Sequence, residues 1–190
     1  MTPTATLPRV VIVGRPNVGK SSLFNRIIGE RKLIVEDEPG TTRDRVEADV
    51  EWRDTRFRLI DTGGFETNDE SVYAPLIVEQ IRTAIDGAAL VLFCVDARDG
   101  LTASDLDMAD VVRRANRPTM LLATKADNEN REVAGMAEAA QLGLGDAMPI
   151  SALHHINVGL MLDEVVAQLP PSEALTESDQ VRVAIIGRPN

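Results

Sequence analysis

The stretch Gly14-Arg15-Pro16-Asn17-Val18-Gly19-Lys20-Ser21 constrains this chain more than any other. It matches G-x-x-x-x-G-K-[ST], follows the apolar run Val10–Val13 and precedes a helix-like segment, Ser22–Ile28. A strand, a glycine-rich turn and a helix in that order build a phosphate cradle. Glycines let the backbone come close to a polyphosphate, because no side chain intervenes. Successive N–H groups then point inward, and the helix adds the positive end of its dipole. Lys20 is placed to reach the β- and γ-phosphates, and the Ser21 hydroxyl to ligate Mg²⁺.

With 190 residues the chain is long enough for one globular domain with an appendage and a substantial core. Lys and Arg number 20 against 30 Asp and Glu, a net charge of −10. An acidic domain repels a nucleic-acid backbone, so RNA contact would need a local basic patch or another domain. The lone cysteine, Cys94, lies in the apolar run Ala88–Val95 and reads as a small buried hydrophobe in a reducing compartment. The first residues carry no basic and apolar leader pattern, and no apolar run approaches the ~20 residues of a membrane span. The expectation is a soluble, cytoplasmic protein without membrane contact.

Along the chain, residues 1–8 read as a tail. Arg9–Val13 reads as a strand buried on both faces, and Ser21–Ile28 as a helix closed by Gly29. Arg31–Asp44 has no sustained period and reads as a mobile loop. Val46–Trp52 and Thr55–Ile60 alternate apolar and polar residues about Arg53-Asp54, a hairpin with one wet face. Asp61–Asn68 reads as a loop and Pro75–Ile85 as a helix. Ala88–Val95 and Thr119–Ala123 read as buried strands. Between them Thr102-Ala103-Ser104-Asp105 resembles a capping box, opening a helix to about Ala115. Arg131–Gln141 reads as a helix, Met148–Ser151 as a last strand and Val158–Leu169 as a last helix, stopped by Pro170-Pro171. The alternation predicts an α/β fold with a mostly parallel six-stranded sheet and helices on both faces. Ligands then sit beyond the carboxyl ends of the strands.

Residues 171–180 have the composition of an acidic linker. After them Arg182-Val183-Ala184-Ile185-Ile186-Gly187-Arg188-Pro189-Asn190 echoes Arg9–Asn17. The expected organisation is a tail (1–8), a first domain (9–170), a linker (171–180) and the start of a second, similar domain (181–190).

Further motifs carry chemistry. Asp61-Thr62-Gly63-Gly64 ends a strand, placing a carboxylate opposite Ser21 for Mg²⁺, usually through water. Its glycines let a backbone N–H, that of Gly64, approach the γ-phosphate. Gly40-Thr41-Thr42-Arg43-Asp44 offers a threonine hydroxyl to the metal and an N–H to the γ-phosphate, an ordering that hydrolysis would undo. Thr124-Lys125-Ala126-Asp127 follows a buried strand. The Asp127 carboxylate can accept from guanine N1–H and the exocyclic amine, a donor pair adenine lacks. Lys125 can lay its stem on the base. Ser151-Ala152-Leu153 can offer a backbone N–H to guanine O6. His154, His155, Arg43, Asp96, Asp99 and Trp52 are read as loop, surface, strand-end or packing residues.

Taken in order, these motifs resemble a translation-factor-type GTPase domain, a P-loop NTPase with a Ras-like G domain. Gly-Arg-Pro-Asn-Val-Gly-Lys-Ser, Pro-Gly-Thr-Thr-Arg-Asp and the repeated phosphate loop resemble the Der (EngA) family of bacterial tandem GTPases over residues 9–190. The resemblance implies two GTPase domains followed by a KH-like domain, acting in assembly of the large ribosomal subunit through parts absent from this chain. Carried over by position, Lys20 and the amides of Asn17–Ser22 bind phosphates, and Gly14, Arg15 and Pro16 complete the loop. Ser21 and Thr42 ligate Mg²⁺, with Asp61 nearby, and Asp127 selects guanine. Lys20, Thr42 and Gly64 form the catalytic set. Two positions depart from related patterns. Thr124 stands where the family usually has Asn, so a weaker tie to the phosphate loop is expected. Phe65 stands where Ras-like enzymes place a water-orienting Gln, and a phenyl ring cannot hydrogen-bond water. Relatives with this change are thought to use backbone groups and sometimes K⁺, which makes Asn17 the candidate K⁺ ligand. The expected activity is hydrolysis of GTP to GDP and phosphate. The rival readings are a nucleotide-gated binding module with negligible turnover, and an ATPase or small-molecule kinase.

Overall fold

A computed structural model of the chain describes residues 7–29, 46–65 and 70–170. Thr42, the rest of the loop that carries it, the acidic stretch 171–180 and the echo of the phosphate loop at 181–190 lie outside the described residues.

Six strands form one sheet: β1 (Arg9–Val13), β2 (Val46–Trp52), β3 (Thr55–Asp61), β4 (Leu90–Asp96), β5 (Thr119–Thr124) and β6 (Ala147–Ile150). Their order is β2-β3-β1-β4-β5-β6, and only the hairpin β2–β3 pairs antiparallel. The expected mostly parallel sheet is therefore present. Its helices are α1 (Lys20–Gly29), α2 (Glu70–Asp86), α3 (Ala103–Ala115), α4 (Glu129–Ala139) and α5 (Val158–Gln168).

The strand period of two divides the core into two layers. Val10 and Ile12 of β1 join Leu23, Phe24 and Ile27 of α1 and Met161, Leu162 and Val165 of α5. Val11 and Val13 face the other way, among Ile81 and Ile85 of α2, Ala109 and Val112 of α3 and Leu142. The hydrophobic strands β1 and β4 are buried on both faces because helices cover both. Phe57 and Phe93 are fully enclosed, each stabilising the fold by about 1.5–3 kcal/mol of apolar transfer.

Several boundaries differ from the sequence expectation, each for a local reason. α2 begins at Glu70, ahead of Pro75, so the proline stands in the second turn and costs the helix one backbone hydrogen bond there. β4 starts at Leu90, because Ala88 donates back to the Ile85 carbonyl and closes α2. α4 begins at Glu129 and tightens after Ala139 into a 3₁₀ turn, ended by Gly143 at φ 64°. β6 stops at Ile150, and Ser151 instead bridges Ile156 across a tight loop. Pro149 is tolerated within β6 because the strand lies at the sheet edge. The loop expected over Asp61–Asn68 opens differently: β3 reaches Asp61, and Thr62–Phe65 form a 3₁₀ turn, while 66–68 lie outside the described residues.

In-register pairing brings the strand ends together. Ile12 pairs with Asp61, Val13 with Phe93, Asp96 with Thr124, and Thr124 with Ile150. Asp61, Asp96 and Thr124 thus emerge at one edge of the sheet, beside the loop from β1 to α1. Among the described residues no helix is long and apolar enough to cross a membrane.

Candidate functional site: a nucleotide cleft at the carboxyl edge of the sheet

The loop between β1 and α1 is shaped by close approach. Gly14 sits at φ 150°, and a Cβ there would lie 2.4 Å from the carbonyl oxygen of Cys94, so only glycine lets the loop cross β4. Beneath it the Cys94 thiol is buried, and burial, the largest influence, pushes its pKa up to about 12. Asn17 turns the loop tip in the left-handed region at φ 63°, and both Pro16 and Asn17 are exposed. Val18 is buried in the core. Lys20, 4% exposed, donates from Nζ to the Arg15 carbonyl at 2.7 Å. Its ammonium is thereby held under the arch of the loop, where a polyphosphate would lie. Arg15 is brought to the loop as expected, but its side chain leaves the cradle and pairs with Asp105 at 3.1 Å. What Arg15 leaves to the cradle is therefore its backbone alone.

Ser21, Asp61 and Gly63 converge. A Cβ on Gly63 would stand 2.9 Å from Ser21 Oγ and 3.1 Å from Asp61 Oδ1. The Gly63 N–H donates to Asp61 Oδ1 at 2.8 Å, and Thr62 Oγ1 donates to the Ile12 carbonyl at 2.8 Å. A hydroxyl and a buried carboxylate facing one glycine-lined gap are the hard oxygen donors that Mg²⁺ takes. The backbone of Gly64 and Phe65 lies in the adjoining 3₁₀ turn.

The other half of the cleft is a cavity of about 240 Å³. Gly19, Ser22 and Leu23 line it from the phosphate-loop side, and Lys125, Asp127 and Ser151–Leu153 from the far side. Asp127 accepts from Ser151 Oγ at 2.9 Å, and Ser151 is fully buried. The hydroxyl in turn accepts from the His154 N–H at 3.1 Å. Ala126 is buried and donates its N–H to the Ile150 carbonyl, which fixes the turn that presents Asp127. Lys125 adopts φ 57° and lies near Gly19, its Cε 3.9 Å from where a Cβ would be.

Thr124 ties the two halves. Its hydroxyl lies 2.5 Å from the Val18 carbonyl and 2.8 Å from that of Val95. The expected loosening is thus limited to donor count: one hydroxyl proton serves two acceptors, where an Asn amide would bring two.

The family described as 50S ribosome-binding GTPase matches residues 9–125, which span the phosphate loop, both carboxylate strand ends and the start of the Thr124–Asp127 turn. The chain belongs to this family. It is 46% identical over 184 residues to the GTPase Der of Alkaliphilus metalliredigens, covering 96% of this chain and 42% of that protein. The GTPase Der of Moorella thermoacetica is 47% identical over 183 residues, again 96% of this chain and 42% of the relative. The chain thus spans less than half the length of these relatives. Among solved structures, a point variant of Aquifex aeolicus Era bound to GDP·AlF₄⁻ superposes with TM-score 0.71 at 27% identity, over 92% of this chain and 60% of that one. Era in complex with MgGDPNP and nucleotides 1506–1542 of 16S ribosomal RNA superposes equally well.

Within this GTPase domain, four positions have roles that sequence reasoning did not foresee. Asp96, read as a strand end, is buried and receives Lys125 Nζ at 2.5 Å. Burial alone would raise its pKa; the Lys125 hydrogen bond and charge and the Arg98 and Asp99 amides outweigh that and hold it below the usual carboxylate range. Ser151 acts through its side chain on Asp127, besides any backbone contact to a base. Arg26 of α1 donates to the Ala152 carbonyl at 2.6 Å and so braces the loop after β6. Arg98 lines the cavity mouth. The Asp96, Ser151 and Arg26 contacts join residues far apart in sequence, and no local pattern announces them. Trp52, read as packing, also donates to Asp163 Oδ1 at 2.7 Å, fastening the hairpin to α5.

Proposed function

We propose that this chain binds GTP and hydrolyses it to GDP and phosphate with Mg²⁺, as the first G domain of a cytoplasmic factor in large-subunit assembly. The observation that carries the reading is Asp127. Its carboxylate is oriented by Ser151 in a cavity that also reaches the phosphate loop at Gly19 and Ser22. A base held there leads directly to a polyphosphate on the loop.

In this reading Asp127 accepts from guanine N1–H and the exocyclic amine. An adenine would leave the carboxylate unpaired in a confined site, which disfavours it strongly. Lys125 lays its stem along the base, and the Ser151–Leu153 backbone serves guanine O6. The amides of Asn17–Ser22 bind the phosphates, and Lys20 favours the charge that develops between the β- and γ-phosphates. Ser21 and Thr42 would hold Mg²⁺, with Asp61 supporting the site; the ion, when bound, would neutralise phosphate charge. The Gly64 N–H meets the γ-phosphate. Because Phe65 cannot orient water, that task falls to backbone groups, and Asn17 at the exposed loop tip would hold a K⁺ ion, which would supply further positive charge.

Residues 171–180 are the linker and 181–190 open a second G domain in this reading, consistent with relatives more than twice as long. The net charge of −10 argues that ribosomal RNA is gripped elsewhere in the longer factor. Steady-state phosphate release is the test, in KCl and in NaCl at equal ionic strength, with and without 50S subunits. GTP turnover that is faster in KCl and altered by subunits is expected. Equal rates in the two salts remove the Asn17 assignment, and no GTP turnover in any condition contradicts the enzymatic reading.

A further inference from the structure

Arg15 and Asp105 form an ion pair across 90 positions of sequence, joining the phosphate loop to the first turn of α3. Asp105 is completely buried, and the Arg15 side chain is only 14% exposed. One carboxylate oxygen, Oδ2, takes all the donors: Arg15 Nε at 3.1 Å, the Thr102 N–H at 2.9 Å and Thr102 Oγ1 at 2.8 Å. The other oxygen, Oδ1, and the Arg15 Nη2 are both buried without a hydrogen-bond partner. Asp99 Oδ2 lies 3.8 Å from Nη2, too far for a hydrogen bond, and is itself well exposed.

A side-on arginine–carboxylate pair ordinarily uses two parallel bonds. Here only one is made, and the two atoms that would form the second are left over. Such a pair is a poor stabilising device, since desolvating two charges costs more than one hydrogen bond returns. An apolar pair of similar volume would serve stability as well. What the pair does accomplish is geometric. The carbonyl oxygen of the same Arg15 accepts the Lys20 ammonium at 2.7 Å. Asp105 therefore fixes Arg15 by its side chain, and Arg15 fixes Lys20 by its backbone.

We propose that Arg15 and Asp105 are positioning residues for Lys20, a strut from α3 that sets the height of the loop arch over the phosphates. This rests on Lys20 acting on a bound polyphosphate. The strut touches no substrate. Its loss lets the arch relax and moves the Lys20 ammonium out of register with the transferring phosphoryl group.

The test is a double-substitution cycle in the 190-residue chain: Arg15→Met, Asp105→Asn and both together. Asn keeps an oxygen for the Thr102 donors, so the first turn of α3 retains its cap. Thermal midpoint, kcat, KM for GTP and GDP affinity are measured for each. Each single substitution is expected to lower kcat by about 10- to 100-fold, with a smaller change in KM, as a misplacement of order 1 Å does. The double variant should be no slower than the slower single variant, and its thermal midpoint no lower than that of either. Arg15→Lys, which restores a cation but not the fork, should recover part of kcat. Arg113→Ala, at an exposed pair with Asp110 near the far end of α3, should leave turnover unchanged. Folded single variants with wild-type kcat would overturn the proposal. So would multiplied effects in the double variant, or a loss of rate that follows the thermal midpoint alone. Wild-type chain that binds GDP but shows no GTP turnover contradicts the hydrolytic reading instead; affinity for a non-hydrolysable GTP analogue then tests the strut separately, a loss in both single variants supporting it and no change overturning it.

Discussion

The two ends of the cleft are built by different means. The proposed base end is held by side chains gripping side chains: Ser151 on Asp127, Asp96 on Lys125, with Arg26 bracing the Ala152 carbonyl. The proposed phosphate end rests mainly on backbone, with the Arg15–Asp105 pair as its one side-chain strut among the described residues: Gly14 against the Cys94 carbonyl, Lys20 on the Arg15 carbonyl, and the Gly63 N–H on Asp61. A base is a flat object with a fixed edge of donors and acceptors, so selecting it needs directed side-chain atoms at set distances. A polyphosphate presents charge in every direction, so amides and one ammonium suffice. Thr124 is where the two constructions meet, with one hydroxyl between Val18 and Val95. Base-end substitutions should therefore act on affinity and specificity, and phosphate-end substitutions on rate.

The largest departure is expected at Lys20. Lys20→Met should reduce single-turnover hydrolysis by about 10²- to 10³-fold, as loss of one transition-state donor does. Loss of GTP binding in the same variant would show that Lys20 serves the ground state equally. Next, Ser151→Ala should weaken GTP and GDP binding by about tenfold with kcat little changed, because a carboxylate loses its orienting hydroxyl. An effect on kcat alone would break the division between the two ends. A smaller effect is expected of Thr124→Val: about a fivefold loss in affinity, with a modest fall in kcat, since the hydroxyl serves both halves. Equilibrium titration and rapid-quench kinetics separate these outcomes.

The smallest effect concerns acid. The folded-state pKa of Asp96 is depressed, so its stabilising contribution is present above the ordinary carboxylate value, about pH 4, and is lost as pH falls through the lower folded value. Wild-type protein should thus exceed Asp96→Asn in thermal midpoint near neutral pH, and the gap should shrink on acidification below about pH 4. A gap independent of pH would mean that the Lys125 pair contributes nothing through charge.

What could be read in advance follows the range of the forces involved. The sheet, both covering layers and the strand-end motifs were legible because hydrophobic period and turn residues act within a few positions of one another. The placement of Asp127, Lys20 and Asp61 along the cleft was legible because their motifs fix them against the backbone. Asp96, Arg26 and the Arg15–Asp105 pair were not. Each is an ordinary charged residue until the fold brings it against a partner 29, 126 or 90 positions away. Asp105 was visible only as a helix cap, since that role is local. The starts of α2 at Glu70 and α4 at Glu129 both precede the first residues with clear helical spacing, since a first turn needs little periodicity of its own.

The central claim is that Asp127 reads guanine, and exchanging its carboxylate for an amide tests it directly. Displacement of a fluorescent GDP by GTP, ATP and xanthosine triphosphate should be measured on the wild type and on Asp127→Asn. The wild type should prefer GTP. The variant should lose GTP affinity by about 10²-fold or more, as two bonds to a charged acceptor would, and gain xanthosine triphosphate, whose C2 oxygen accepts from the new amide. Unchanged GTP affinity in a folded Asp127→Asn protein would contradict it.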